Sequence, residues 1–264
     1  MKTKGQISIF VILGLVLAAI IIGIAFFRAE IYSKLGEVGI VKEAALPSQV
    51  ENIKNEIQSC LQYLGEDTVL LVGMQGGYVK LDSRTKYSTV FINILSDPTF
   101  PYQGTAYLYD KGQKKVPSLE SIEKGMEDYI NENVKQCQKE YTGFKVEYDT
   151  RVQPEVEIQE KKVNFNVAWN IEVSKDESEY KIRDFKFDVP VRLGEIYNIV
   201  NKIVDQQVAL KSKDVCASCL TDISAENDIT IEVQGIEEDT IYLLTDEQSK
   251  LLEGPYIFIM ANKF

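Results

Sequence analysis

The four cysteines of this chain, at positions 60, 137, 216 and 219, are the residues whose chemistry is easiest to interpret. An even number of cysteines in a domain outside the cytoplasm favours disulfide bonds, and four cysteines can pair in three ways. We favour Cys60 with Cys137, because both lie at the C-terminal ends of predicted helices and on their apolar faces. Cys216 and Cys219 then form a local pair. The alternatives are a four-thiolate zinc site, a redox-active pair and free thiols.

The redox alternative has a physical basis in the residues around Cys216. Asp214 is placed to cap a helix whose first turn would contain Cys216, and the positive end of a helix dipole lowers the pKa of a thiol there. However, the preceding segment has helical periodicity, whereas a thioredoxin-like βαβ unit requires a strand. One C-x-x-C motif is therefore the whole support for a membrane-tethered thiol-redox or metal-binding enzyme.

Histidine is absent from the chain, and its absence excludes several kinds of site. Ser-His and Cys-His catalysis both require it, and imidazole is the commonest nitrogen ligand of zinc and copper. The excess of 40 acidic over 29 basic residues opposes the positive surface that nucleic acids require. We predict no catalytic residues, no metal ligands, no cofactor and no nucleic-acid partner.

An aromatic segment, TFPYQGTAYLYDKGQ, is a candidate recognition loop. Aromatic rings supply contact area at a low entropic cost. The residues in question are Phe100, Tyr102, Tyr107 and Tyr109. We favour the alternative that the last two line a strand and pack inward, because strand aromatics are common in protein cores.

The first part of the folded body alternates between helical and strand patterns. A helix is expected from Pro47-Ser48 to a stop at Gly65, followed by a hairpin of TVLLVGM and YVKL around Gln75-Gly76-Gly77. KYSTVFINIL and TAYLYD have the composition of strands. Pro117-Ser118 then caps a helix predicted from Leu119 to about Lys139.

The second part is predicted to be a strand meander followed by a helix and three more strands. FKVEYDTRV, EVEIQ, KVNFNVAWNIEV and YKIRDFKFDVPV form the meander, and a helix runs from Leu193 to Lys211. ITIEV, IYLLT and PYIFIMAN close the chain. The predicted class is therefore α+β, with antiparallel strands and three or four helices behind a single N-terminal transmembrane helix.

That transmembrane helix is predicted from Ile7 to Phe27, twenty-one residues without a charge, which is long enough to span a bilayer. Lys2 and Lys4 precede it, so the N-terminus is expected in the cytoplasm and the folded body outside the cell membrane. The lipid bilayer is then the first partner. Small residues could pack the helix against another copy or another envelope protein; they are Gly14, Ala18, Ala19 and Gly23.

We accordingly divide the chain into a basic tail and transmembrane helix (1–27), a helical stalk or linker (28–46) and an extracytoplasmic α+β domain (47–264). The domain has a weakly marked boundary that would give lobes 47–142 and 143–264.

The residues Lys4-Gly5-Gln6-Ile7-Ser8, directly before the apolar run, resemble the class III signal of archaeal type IV pilins. In that family a basic leader ends at glycine, and cleavage precedes the glutamine of a Gln-x-Ser-x-Glu pattern. Gln6 and Ser8 match, whereas Phe10 and Gly14 stand where the family has glutamate and leucine. The resemblance implies processing between Gly5 and Gln6.

More broadly, the chain resembles uncharacterised single-pass archaeal surface proteins, in its KGQISIFVILG anchor, IQSCLQYL and QGGYVKL segments, VPVRLGEIYNIVNKIV helix and closing PYIFIMANKF. That family implies no activity. The predicted function is that of a non-enzymatic, membrane-anchored surface protein with a structural, pilin-like or adhesive role. The alternatives are the thiol or metal enzyme described above and an accessory subunit of a membrane complex.

Overall fold

The computed structural model describes residues 47–89, 103–210, 214–236 and 238–264. Ser48–Phe264 forms one compact unit. Its described helices are α1 Ser48–Met74, α2 Leu119–Asn133, a 3₁₀ helix Val134–Cys137, α3 Leu193–Leu210 and α4 Ala217–Asn227. Its described strands are β1 Tyr87–Ser88, β2 Thr105–Asp110, β3 Gln113–Lys114, β4 Lys145–Ile158, β5 Val163–Lys175, β6 Ser178–Val189, β7 Thr230–Ile236, β8 Asp239–Leu251 and β9 Gly254–Lys263.

Helix α1 is longer than its sequence predicts. The expected stop at Gly65 and the expected strand TVLLVGM are both wrong, because the helix continues to Met74. The Gln75-Gly76-Gly77 segment is the end of this helix and not a hairpin turn. Gly76 and Gly77 have φ values of 69° and 92°, and the Gly77 amide donates to the Val72 carbonyl at 2.8 Å, as in a glycine C-cap.

Two glycines let α1 lie against both sheets of the protein. A Cβ added at Gly65 would stand 2.6 Å from the ring of Phe187 in β6. One added at Gly73 would stand 2.5 Å from the Ile257 carbonyl oxygen in β9, and the Tyr256 hydroxyl beside it donates to the Val69 carbonyl at 3.0 Å. Gly65 is thus the point of contact with the smaller sheet and Gly73 with the larger one.

The smaller sheet has three antiparallel strands in the order β4-β5-β6, as the meander predicted. One difference is that FKVEYDTRV and EVEIQ belong to a single strand, β4, that runs through Pro154 with a register shift between Tyr148 and Val152. Proline is tolerated there because β4 is an edge strand. Two outward amides of the same edge donate to carboxylates of α2, Val156 to Glu127 at 3.4 Å and Ile158 to Glu123 at 2.8 Å.

The larger sheet has the order β1-β2-β9-β8-β7, with β3 paired to β2. Strand β2 runs parallel to β9, pairing Tyr107 with Ala261, so the sheet is mixed. A hydrophobic pattern reports which residues are buried but not the direction of a neighbouring strand. Strands β7, β8 and β9 follow the predicted segments, and α3 is helical from its predicted start at Leu193 to Leu210, while its predicted limit at Lys211 lies outside the described residues.

The predicted fold class therefore needs correction. The body is α+β with four α-helices in its described part, but its strands are not all antiparallel. No helix within the described ranges is long and apolar enough to cross a membrane. The segment Ile7 to Phe27 and the stalk at 28–46 lie outside the described residues.

A buried ion pair joins the end of the smaller sheet to the larger one. Arg192, between β6 and α3, donates from Nε to Asp246 of β8 at 3.1 Å and from Nη2 to the other carboxylate oxygen. The Asp246 side chain has no exposed surface. Burial raises the pKa of Asp246, but hydrogen bonds from Arg192, Ser249 and the Gln248 amide outweigh it and hold that pKa below its usual range.

The close contact at Gly73 predicts a contrast between two helical glycines. Gly73→Ala should lower the free energy of unfolding by about 2 kcal/mol, because its methyl group would meet a backbone carbonyl that cannot rotate away. Gly125→Ala in α2 should raise it by up to about 1 kcal/mol, since its methyl group would lie 3.6 Å from Val79. Urea unfolding measures the free energy of unfolding of both variants. Equal changes in the two would contradict the close contact at Gly73.

Candidate functional site

The first predicted disulfide is confirmed. Cys60 of α1 and Cys137 of the 3₁₀ helix are joined, with Cα atoms 5.6 Å apart. Ser118 caps α2 as predicted, its Oγ accepting from the Ser121 amide at 3.3 Å. The helix tightens into a 3₁₀ turn over Val134–Cys137 and does not continue to Lys139. Cys137 is 1% exposed and Cys60 is partly exposed, so this bond is buried on its Cys137 side.

The second predicted disulfide, Cys216 with Cys219, is also present. The expected cap at Asp214 is wrong: Cys216 is itself the N-cap of α4, and its Sγ accepts a hydrogen bond from the Cys219 amide at 3.3 Å. Because all four sulfurs are in disulfide bonds, none is a thiolate that could bind zinc in this state. Among the described residues, no three histidine, cysteine or acidic side chains are grouped as metal ligands.

The two described tyrosines of the aromatic segment pack inward, as the favoured interpretation predicted. Tyr107 is 9% exposed and Tyr109 is 3% exposed. The Tyr107 hydroxyl donates to both Asp239 oxygens at 2.9 Å, and the Tyr109 ring lies 5.3 Å from that of Phe264. Burial, then the hydrogen bond to Asp239, raises the pKa of Tyr107.

The remaining predicted site residues lie outside the described ranges. They are Phe100 and Tyr102 of the recognition loop, Gly5 and Gln6 of the processing site, and Gly14, Ala18, Ala19 and Gly23 of the helix-packing face.

A polar cleft, which the sequence did not indicate, crosses the surface beside residues 77–86. It consists of two adjoining cavities of about 400 and 430 Å³ that share Tyr78, Asp82 and Thr85. Helix α2 forms the far wall of the first cavity, and strands β2 and β3 supply Asp110 and Gln113 to the second. These segments are separate in the sequence, so no local motif could have identified the cleft.

Asp82 organises the turn at the centre of this cleft. Its carboxylate accepts hydrogen bonds from the Arg84 guanidinium and amide and from the Thr85 hydroxyl and amide, at 2.9 to 3.0 Å. These bonds, first those of the Arg84 side chain, lower the pKa of Asp82 to about 2. Burial, then the charge of Asp82, raises the pKa of Tyr78. The Asp82 carboxylate is therefore ionised above this pKa and paired with the Arg84 guanidinium.

Asp110 is the most buried acid along the cleft. One of its oxygens accepts from Lys86 Nζ at 2.7 Å, and the other is buried without a hydrogen-bond partner among the described residues. Arg84 and Lys115 also line this cavity. Charges of both signs beside the half-buried Tyr78 suit a small polar ligand. The cleft is lined by neither cysteine nor histidine.

Comparisons with protein-family models, with curated proteins and with solved structures found no match to this chain.

The two disulfides should differ in what they contribute to stability. The loop closed by Cys60–Cys137 spans 77 residues and that closed by Cys216–Cys219 spans 3. By the chain-entropy relation, these correspond to about 4.5 and about 1.6 kcal/mol. Cys60→Ala/Cys137→Ala should therefore lower the free energy of unfolding far more than Cys216→Ala/Cys219→Ala. Guanidinium unfolding compares the two pairs, and a larger loss from the local pair would contradict this.

Asp67 of α1 should make the protein less stable as pH rises. Burial, then repulsion from Glu66, raises its pKa from 3.8 to about 6. The pKa of Asp67 is higher in the folded chain than in the unfolded chain. The free energy of unfolding therefore falls as pH rises from about 4 to 6, and it stays lower above that range. The difference corresponds to about 3 kcal/mol for an enclosed group, reduced here to about 1 kcal/mol because Asp67 is partly exposed and solvent screens its charge.

Asp67→Asn should thus be more stable than the natural chain at pH 7 and equal to it at pH 3.5, as measured by urea unfolding at both values. Asp82→Asn is the control of opposite sign. The pKa of Asp82 is lowered, so its removal should cost stability at pH 7. A destabilised Asp67→Asn variant at pH 7 would show that the carboxylate is needed in its charged form.

Proposed function

We propose that this chain is a non-enzymatic surface protein held at the cell membrane, and that its described body is a structural domain on the outer side. The observation that carries the proposal is the pair of disulfide bonds, because disulfides form and persist in oxidising compartments outside the cytoplasm. The larger of them ties α1 to the end of α2 across 77 residues. Such a cross-link suits a domain that must stay folded without chaperones or cellular repair.

Two features of the sequence support the location. Residues 7–27 carry no charge, and lysines at positions 2 and 4 precede them, a distribution that favours a cytoplasmic N-terminus. The same residues carry the resemblance to archaeal pilin signals, which supports a pilin-like role among the structural ones. Association with other envelope components would then involve this segment.

An adhesive role is the second candidate, and the cleft beside residues 77–86 favours it. Its second cavity contains the unpaired oxygen of Asp110 next to Lys86, with Gln113 and Lys115 on the facing hairpin. These groups offer both donors and acceptors to a polar surface.

The proposal is tested on the chain purified from its own membranes. We expect it to stay with the membrane after a high-salt wash and to show no free thiol until it is unfolded and reduced. N-terminal sequencing then separates the structural roles, since a chain that begins at Gln6 indicates pilin-type processing and one that begins at Met1 a plain anchor. Recovery in the cytoplasmic fraction with four free thiols would refute the proposal.

A further inference from the structure

The two disulfide bonds lie in different surroundings. Cys60–Cys137 connects two packed helices, and Cys137 is 1% exposed. Cys216 and Cys219 are both partly exposed, at the beginning of the eleven-residue helix α4. Cys60 of the first bond is partly exposed as well, but an attack on its sulfur would have to release the buried Cys137 as a thiolate, which burial disfavours. An external thiolate can therefore exchange more readily with the second bond in the folded protein.

The surroundings of Cys216 suit a negatively charged sulfur. Its Sγ accepts a hydrogen bond from the Cys219 amide at 3.3 Å, and the Ser218 hydroxyl lies 3.6 Å from the same sulfur. The positive end of the α4 dipole acts in the same direction. Together these groups favour the thiolate form of Cys216, which makes it a good leaving group in thiol–disulfide exchange.

Helix α4 has contacts that do not depend on its disulfide. Leu220 and Ile223 are 8% and 5% exposed, which anchors the inner face of the helix. At its C-terminal end, the Ser224 hydroxyl donates to the Ile229 carbonyl at 2.6 Å. The helix is thus held by its apolar face and by the turn into β7. Opening the Cys216–Cys219 bond leaves these contacts in place.

We propose that Cys216–Cys219 is a thiol–disulfide exchange site that accepts electrons from a dithiol of a partner protein. A partner thiolate attacks Cys219 Sγ, forms a mixed disulfide and releases Cys216 as a thiolate to its amide and hydroxyl donors. The second partner thiolate then attacks the partner's own sulfur in that mixed disulfide and releases Cys219. Two electrons pass to the pair, the partner's dithiol becomes a disulfide, and the released thiolates take up protons from water.

This activity is additional to the structural role proposed above and does not depend on it. A chain that proves to be cytoplasmic would lose the support for the structural proposal, yet its C-x-x-C pair could still be assayed in the same way. Conversely, if the Cys216–Cys219 bond does not exchange with thiols, the proposed membrane location is unaffected.

The first experiment incubates the full chain, folded, in glutathione buffers of increasing reduced fraction, traps free thiols with a maleimide and identifies the labelled peptides by mass spectrometry. We expect Cys216 and Cys219 to become labelled together while Cys60 and Cys137 stay unlabelled until the chain is denatured. Reduction of both bonds at the same buffer ratio, or no labelling before unfolding, would overturn the proposal.

The second experiment uses a synthetic peptide with two thiols as the electron donor. Oxidised peptide should appear in one-to-one proportion to Cys216 and Cys219 thiols, and Cys216→Ala/Cys219→Ala should abolish the reaction. Cys60→Ala/Cys137→Ala should retain it if that variant folds, which circular dichroism establishes. Ser218→Ala should slow it with an unchanged melting temperature, and an unchanged rate would show that Ser218 does not stabilise the leaving sulfur.

Discussion

The close approach of α1 to two sheets is the constraint on which the described structure depends. A helix normally keeps a sheet at the distance set by its side chains, and only a glycine lets the two backbones come closer. Gly65 admits the ring of Phe187 and Gly73 admits the carbonyl of Ile257, so one rigid element fixes the positions of both sheets. This explains why α1 continues through two residues that weaken a helix when it stands alone.

Other cross-links reinforce the arrangement that α1 creates. The Cys60–Cys137 bond attaches the end of α2 to the middle of α1, and Arg192 with Asp246 connects the chain after β6 to β8. The ion pair is enclosed and hydrogen-bonded on both sides, which a buried charge requires. Covalent and ionic contacts thus constrain segments that are distant in the sequence but adjacent around one helix.

The sequence was informative where structure depends on local pattern. The alternation of β5, the Ser118 cap and the Cys216–Cys219 pairing follow from spacing within single elements, and the Cys60–Cys137 pairing follows from the apolar faces of two helices; all are present. Prediction from the sequence failed where a contact between residues far apart in the sequence determines the structure. Gly65 was interpreted as a helix stop because its partner, Phe187, lies more than a hundred residues away, and the parallel pairing of β2 with β9 leaves no mark in either strand. The polar cleft is a product of the same long-range topology.

The edge of the smaller sheet has a consequence for how copies of this domain can associate. Along β4, Pro154 has no amide hydrogen, and the amides of Val156 and Ile158 already donate to α2. An extended segment of a neighbouring molecule would find no free donor along this stretch, so lateral growth of the sheet into a fibril is blocked there. The protein can therefore be concentrated at a surface without polymerising through this stretch of β4.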